Sequence, residues 1–233
     1  MDNNQFTGTF PSEIGQLSNL IYMSFSSNAL SGTIPEEFGN LENLETFDAS
    51  SNFLGEQLPN VFDRLFYLKE FDMALNYLSG TLPQTLLFNT TVLNTLNISG
   101  NILGMDLPLP EDLGQMKSLR SLDLSTNQFI GTIPESIGEM ENLVEVRLDR
   151  NFLTGQLPDS VNRLSDMQFL SLSENSLSGF PVGLTNLTKL EQLQLSNNKF
   201  NEIPSEIFTD FQNLGKNFAP KKVPFILPKR DMC

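Results

Sequence analysis

Asp48, Asp72 and Asp123 each stand four residues before an asparagine, at Asn52, Asn76 and Asn127, and Asn97 holds the same place before Asn101. If these positions lie side by side, they form a column of carboxylates. Two carboxylates about 5 Å apart are the working pair of a retaining glycosidase, and the same oxygens could hold Ca²⁺ weakly. Glycosidase chemistry needs one carboxyl raised to act as an acid, and an open surface does not favour that. Arg120, Arg147 and Arg150 gather cationic groups in an otherwise acidic stretch. A guanidinium fork suits carboxylate or sulfate, although pairing with Asp123, Asp149 or Glu174 would use it up in exposed ion pairs of about 0–1 kcal/mol each. The chain has no histidine and a single cysteine, Cys233. Ser-His and Cys-His catalysis, histidine metal sites and an internal disulfide framework are therefore excluded. No phosphate-binding loop or kinase signature occurs. The reading is no enzyme, no cofactor and no metal.

The elements that place these residues are repeats. Asparagines recur at Asn4, Asn28, Asn52, Asn76, Asn101, Asn127, Asn151, Asn175 and Asn198, with spacings of 23–26 residues. A large apolar residue follows each by two positions (Phe6, Leu30, Leu54 and onward), and a proline follows each by six or seven. Before each asparagine, segments such as Leu187-x-x-Leu190-x-x-Leu193-x-Leu195 end in period-two alternation, the pattern of a short strand with one buried face. Coils stacked about 4.8 Å apart must turn there. A buried asparagine carries both the donor and the acceptor such a turn needs, so Asn28, Asn52, Asn76, Asn101, Asn127, Asn151, Asn175 and Asn198 are read as a structural ladder. Gly8, Gly32, Gly80, Gly131, Gly155 and Gly179 supply positive φ for the next bend, with the glycine displaced to Gly55 and Gly104 in the third and fifth units. Apolar-Pro pairs such as Ile34-Pro35 then give an extended segment, and Glu36 to Leu41 a short helical or 3₁₀ turn.

These units resemble plant-type leucine-rich repeats, with consensus LxxLxxLxLxxNxLxGxIPxxLGxLxxL. Met116 to Leu143 carries it nearly whole: Leu119, Leu122, Leu124, Asn127, Phe129, Gly131, Ile133-Pro134, Ile137-Gly138 and Leu143. The expected fold is an α/β repeat solenoid, a right-handed superhelix of about nine coils with a parallel sheet on the concave face. It spans residues 1–214, with an irregular, basic, Pro-rich tail at 215–233. The fifth unit inserts Met105 to Pro110, expected as a bulge on the flank. In the last units Asn201-Glu202 replaces the glycine. Met1 falls in the last apolar slot of a strand, and the start lacks both a cysteine-bearing cap and the basic and apolar regions of a signal peptide. A terminal coil without a cap exposes its stacking surface, so the expectation is a piece of a longer protein.

The chain has 28 acidic and 14 basic side chains, net −14. That balance disfavours nucleic acid and anionic membranes, and no run of apolar residues suffices to insert in a bilayer. The concave face of a solenoid is its usual binding surface. Contact residues expected there are Tyr22, Asp48, Glu70, Asp72, Arg120, Asp123, Glu145, Arg147, Arg150 and Phe169, with Leu75 as a further apolar group. The resemblance implies non-catalytic recognition of a protein, peptide or glycan, at the cell surface within a receptor-like protein. An intracellular scaffold of the same fold, or a hydrolase built on the aspartate column, are the alternatives. Asn89, Asn97 and Asn186 head glycosylation sequons; three is about what composition alone provides, and a glycan on Asn97 would obstruct the face.

Overall fold

A computed structural model describes residues 1–179, 184 and 186–200. Pro181, Asn201-Glu202, Pro204 and the tail at 215–233 lie outside the described residues. Eight three-residue strands form one parallel sheet, in chain order Tyr22–Ser24, Thr46–Asp48, Glu70–Asp72, Thr95–Asn97, Ser121–Asp123, Glu145–Arg147, Phe169–Ser171 and Gln192–Gln194. Every strand pairs with the next in sequence, and equivalent repeat positions stand opposite each other: Met23 on Phe47, Phe47 on Phe71, Leu122 on Val146. The middle residue of each strand points inward and is buried, because a period-two strand can hide one face only.

The asparagine ladder closes each turn. Asn127 Nδ2 donates to the carbonyls of Ile98, Leu124 and Ser125 at 3.0–3.2 Å, and its Oδ1 accepts the Leu103 amide at 3.0 Å. The same four-way pattern recurs at Asn52, Asn76, Asn101 and Asn151, all buried. Asn28, at the end of the stack, is half-buried and borrows the Met1 carbonyl.

Two features were not foreseen. The segments after the ladder are not merely extended: Thr7–Gly8, Ala29–Gly32, Phe53–Gln57 and Tyr77–Ser79 form a second parallel sheet of four strands, and Thr154–Gly155 with Ser176–Leu177 a separate pair. The break between them falls at the fifth unit, where Gly104 and Asp106 turn through positive φ and only a Pro108–Ile130 bridge remains. The Met105–Pro110 insertion thus interrupts the second sheet. The residue before each ladder asparagine is also left-handed, including Ser51, Leu75, Thr126 and Arg150 at φ near +55°. In the third unit the expected glycine is wrong: Gly55 is not left-handed, and Glu56 takes that conformation at φ 62°.

The other side of each coil is a 3₁₀ turn, at Ser12–Gln16, Glu36–Asn40, Phe62–Arg64, Glu111–Gln115, Glu135–Glu139 and Asp159–Arg163. Five of the six follow a proline whose fixed φ starts the turn, and Phe62–Arg64 follows Val61 at φ −127° and ψ 15°. The fourth coil has one residue more and makes the α-helix Gln84–Asn89 instead. Between the layers runs a continuous core, with a phenylalanine spine of Phe38, Phe47, Phe62 and Phe71 whose centroids lie 4.7–6.4 Å apart. Such rings bury the most area per residue and prefer these edge and offset contacts. Most of the leucines and six of the phenylalanines among the described residues lie in this core.

Candidate ligand-binding face

Side chains flanking the buried middle residue of each strand lie on the eight-stranded face in straight rows. One row reads Tyr22, Thr46, Glu70, Thr95, Ser121, Glu145, Phe169 and Gln192, and the other Ser24, Asp48, Asp72, Asn97, Asp123, Arg147, Ser171 and Gln194. The two rows are not equally open. Tyr22 and Glu70 are exposed, Glu145 and Phe169 half-buried, whereas Ser24 and Ser171 are buried and Asp48, Asp72 and Asp123 half-buried.

The aspartates are tied into the fold. Asp48 Oδ1 accepts the Ser50 amide at 2.9 Å and the Ser50 hydroxyl at 2.7 Å, and Asp123 treats Ser125 identically. Asp72 Oδ1 accepts the Ala74 amide at 2.9 Å, while Oδ2 accepts Asn97 Nδ2 at 3.0 Å. These are two-residue side-chain turns that steer the chain off the strand. That supplies a structural reason for Asp at these positions. Burial pushes the Asp72 carboxyl above the usual range, hydrogen bonds from Ala74 and Asn97 pull against it, and the Asp48 and Asp123 charges add to the rise. Burial likewise raises Asp123, opposed by Ser125 and Arg147. Among the described residues no group of three or more potential ligand side chains is placed to hold a metal ion.

The arginines are mostly occupied. Arg147 Nε lies 2.6 Å from Glu145 Oε1 and 3.9 Å from Asp123 Oδ2, with its guanidinium carbon 4.2 Å from the centre of the Phe169 ring. Arg150 Nε pairs with Glu174 at 3.1 Å. Arg120 is exposed, just ahead of its strand, and makes no ion pair within 4.0 Å among the described residues. Asp123, Glu145, Arg147 and Phe169 therefore form one self-satisfied cluster, with Arg120 and Arg150 outside it. On the earlier coils Lys69 pairs with Glu45 at 2.7 Å, and Asp48, Glu70 and Asp72 have no cationic partner among the described residues. Leu75, 61% exposed and left-handed, stands at the end of the Asp72 coil.

Asn97 is no bare acceptor either: Nδ2 is held by Asp72, and Oδ1 accepts the Ser99 amide and hydroxyl. Asn89 ends the α-helix and Asn186 is exposed.

Comparison with known proteins agrees with this architecture. Sequence profiles described as Leucine rich repeat match residues 141–200, and others described as Leucine Rich Repeat match 19–41, 118–140 and 189–214, together just over half of the chain. The chain belongs to the leucine-rich-repeat family. Among solved structures it is similar to the Arabidopsis receptor kinase HAESA in complex with the peptide hormone IDA and the co-receptor SERK1, at 32% identity and TM-score 0.82, over 89% of this chain and 35% of that one. It is similar to the plant peptide hormone receptor RGFR1 in complex with RGF2, at 28% identity and TM-score 0.72, over 85% and 35%. A leucine-rich-repeat protein of Leptospira interrogans matches at 32% identity and TM-score 0.76, over 88% and 50%. This leucine-rich-repeat chain thus spans about a third to a half of the length of these proteins. No curated protein matches it by sequence. Among the described residues no helix is long and apolar enough to cross a membrane.

Proposed function

We propose that the eight-stranded face is a non-catalytic recognition surface for an extended peptide, free or part of a protein, within a larger receptor-like protein at the cell surface. Residues 1–214 form its solenoid and 215–233 an appended tail. The likeness to plant ectodomains solved with peptide hormones supports the ligand class. The observation that carries the reading is how charge is distributed on the face. Arg147 and Arg150 are occupied by Glu145 and Glu174, while Asp48, Glu70 and Asp72 have no cationic partner among the described residues. A ligand that engages the early coils must therefore bring cationic side chains. Leu75 and Tyr22 give it apolar contact beside them.

Leu75 offers the sharper test. A leucine in left-handed backbone costs about 1–2 kcal/mol relative to a residue suited to it, and Leu75 is 61% exposed. Every coil requires this left-handed residue before its ladder asparagine, so the strain belongs to the turn; what sets Leu75 apart is an exposed apolar side chain where other coils carry Ser, Gly, Thr, Arg, Glu or Asn. Panning an extended-peptide display library against the purified chain should enrich Lys- or Arg-bearing sequences. Leu75→Asn and Glu70→Gln should each weaken the selected peptides about tenfold, one decade being about 1.4 kcal/mol, without lowering the melting temperature. Uncharged or acidic winners, or unchanged affinity in both variants, overturn the assignment.

A further inference from the structure

The flank between each helical turn and the following strand is polar in most coils: Glu42-Asn43, Lys117-Ser118, Glu141-Asn142 and Ser165-Asp166 occupy equivalent places. Stacking there is polar too, with Asn43 Nδ2 donating to the Ser18 carbonyl and Asn142 Nδ2 to the Lys117 carbonyl. Coils three and four break the pattern. Phe66 and Tyr67 stand at these positions in one coil and Val92 in the next, with Phe88 on the adjoining helix, exposed by 56%, 56%, 38% and 46%. The helix Gln84–Asn89 packs on the turn Phe62–Arg64, where Thr85 Oγ1 accepts the Phe62 amide at 3.1 Å. The four apolar side chains are thus carried by two adjacent coils.

The same place carries the sequon Asn89-Thr90-Thr91. Its parts are disposed unequally: Thr90 is buried and donates to the Leu86 carbonyl at 2.6 Å, which anchors the end of the helix, while Thr91 is exposed. No hydrogen bond holds the Asn89 side chain among the described residues, in contrast to Asn97. Phe88, exposed, and Asn89, half-buried, are the last two residues of this helix.

We propose that Asn89 carries an N-linked oligosaccharide whose first sugars cover the Phe66, Tyr67, Phe88 and Val92 flank, and that Asn97, despite its sequon, does not. The substrate is a lipid-linked oligosaccharide. Asn89 Nδ2 forms the bond to the anomeric carbon, the lipid pyrophosphate leaves with the electron pair of the bond that breaks, and the amide proton passes to the transferase's base. An exposed apolar patch of this kind promotes association; the C–H faces of a sugar cover it while its hydroxyls face water. On Asn97 the amide is oriented by Asp72 at nitrogen and by Ser99 at oxygen, in the middle of a row of strands about 4.8 Å apart, so a glycan there would crowd its neighbours on the sheet. The inference rests on the cell-surface reading, but its test does not require the native location.

The chain is secreted from a eukaryotic host behind a host leader, and the folded fraction is treated with peptide-N-glycosidase in heavy-oxygen water and mapped by mass spectrometry. Exposed Asn186 reports whether the transferase reached the chain. The expected result is high occupancy at Asn89 and almost none at Asn97. Thr91→Ala, which leaves Asn89 in place, should abolish the Asn89 glycan and raise binding of an apolar-surface dye at least twofold, with peptide capture on the sheet and the melting temperature unchanged. Thr91→Ser should restore the parent behaviour. An unmodified Asn89 beside a modified Asn186, comparable occupancy at Asn97, or unchanged dye binding in Thr91→Ala overturns the proposal. Loss of peptide capture in every form would fail the recognition reading instead.

Discussion

The Arg147 guanidinium lies over the Phe169 ring, 4.2 Å from its centre, across neighbouring strands whose register sets Glu145 against Phe169. A cation on an aromatic face at a partly exposed site is worth about 0.5–1 kcal/mol. Glu145 at 2.6 Å holds the same guanidinium from the side, so two partners fix one arginine. Its ordered position makes it a weak candidate for seizing a ligand.

The Arg147–Phe169 contact should appear as coupling. In a double-mutant cycle of Arg147→Met and Phe169→Leu, read by urea unfolding, the two losses should fall short of additivity by about 0.5–1 kcal/mol. Strict additivity would show that the ring and the cation are merely neighbours.

Asp72 gives a pH signature. Its carboxyl is raised in the folded chain, chiefly by burial. The folded state therefore holds this proton more tightly than the unfolded chain. The contribution to stability is greatest at acid pH, falls as pH rises from the ordinary carboxylate value through the raised folded one, and stays lower above it. Asp72→Asn keeps the acceptor for the Ala74 amide but turns an amide donor towards Asn97 Nδ2, a loss that does not depend on pH. Measured against the parent, the variant's melting temperature should be about 1–3 °C more favourable at pH 7 than at acid pH, the advantage disappearing as pH falls through the raised folded value to the ordinary carboxylate one near about 4. An equal difference from the parent at both pH values would rule out ionisation as its cause.

Asn127 tests the ladder. Alanine there strips the buried Leu103 amide of its acceptor and three carbonyls of a shared donor. The expected loss is about 2–4 kcal/mol, because buried groups left unpaired forfeit their hydration as well. Asn127→Asp keeps an acceptor but turns a carboxylate on those carbonyls, so it should be no better at neutral pH. Hydrogen exchange at Leu103 should accelerate first, since a solenoid opens locally. An undisturbed Leu103 amide would count against a bracing role.

The fold was legible before any coordinates because the repeat is redundant: nine copies of the asparagine, apolar and proline positions leave few other ways to bury the leucines. Asn127 and Leu122 announce their roles by period. The candidate face was only partly legible. The 24-residue offset from Asp123 to Arg147 lets sequence anticipate that pair, yet it says nothing about the Phe169 ring under the guanidinium or about Glu145, which holds it most closely. The sequon at Asn97 looks like that at Asn89, and only packing separates them.

What the sequence alone determined is therefore the periodic part: the coil, the ladder and the identity of the rows on the eight-stranded face. These follow from burial patterns that every repeat restates. Tertiary structure decided what departs from the period. It placed left-handed backbone at Glu56 rather than Gly55, split the second sheet at the Met105–Pro110 insertion, and consumed Arg147 and Arg150 in local pairs. Those outcomes depend on side chains from different coils meeting at a few ångströms, where one hydrogen bond or one ring decides among conformations of nearly equal energy.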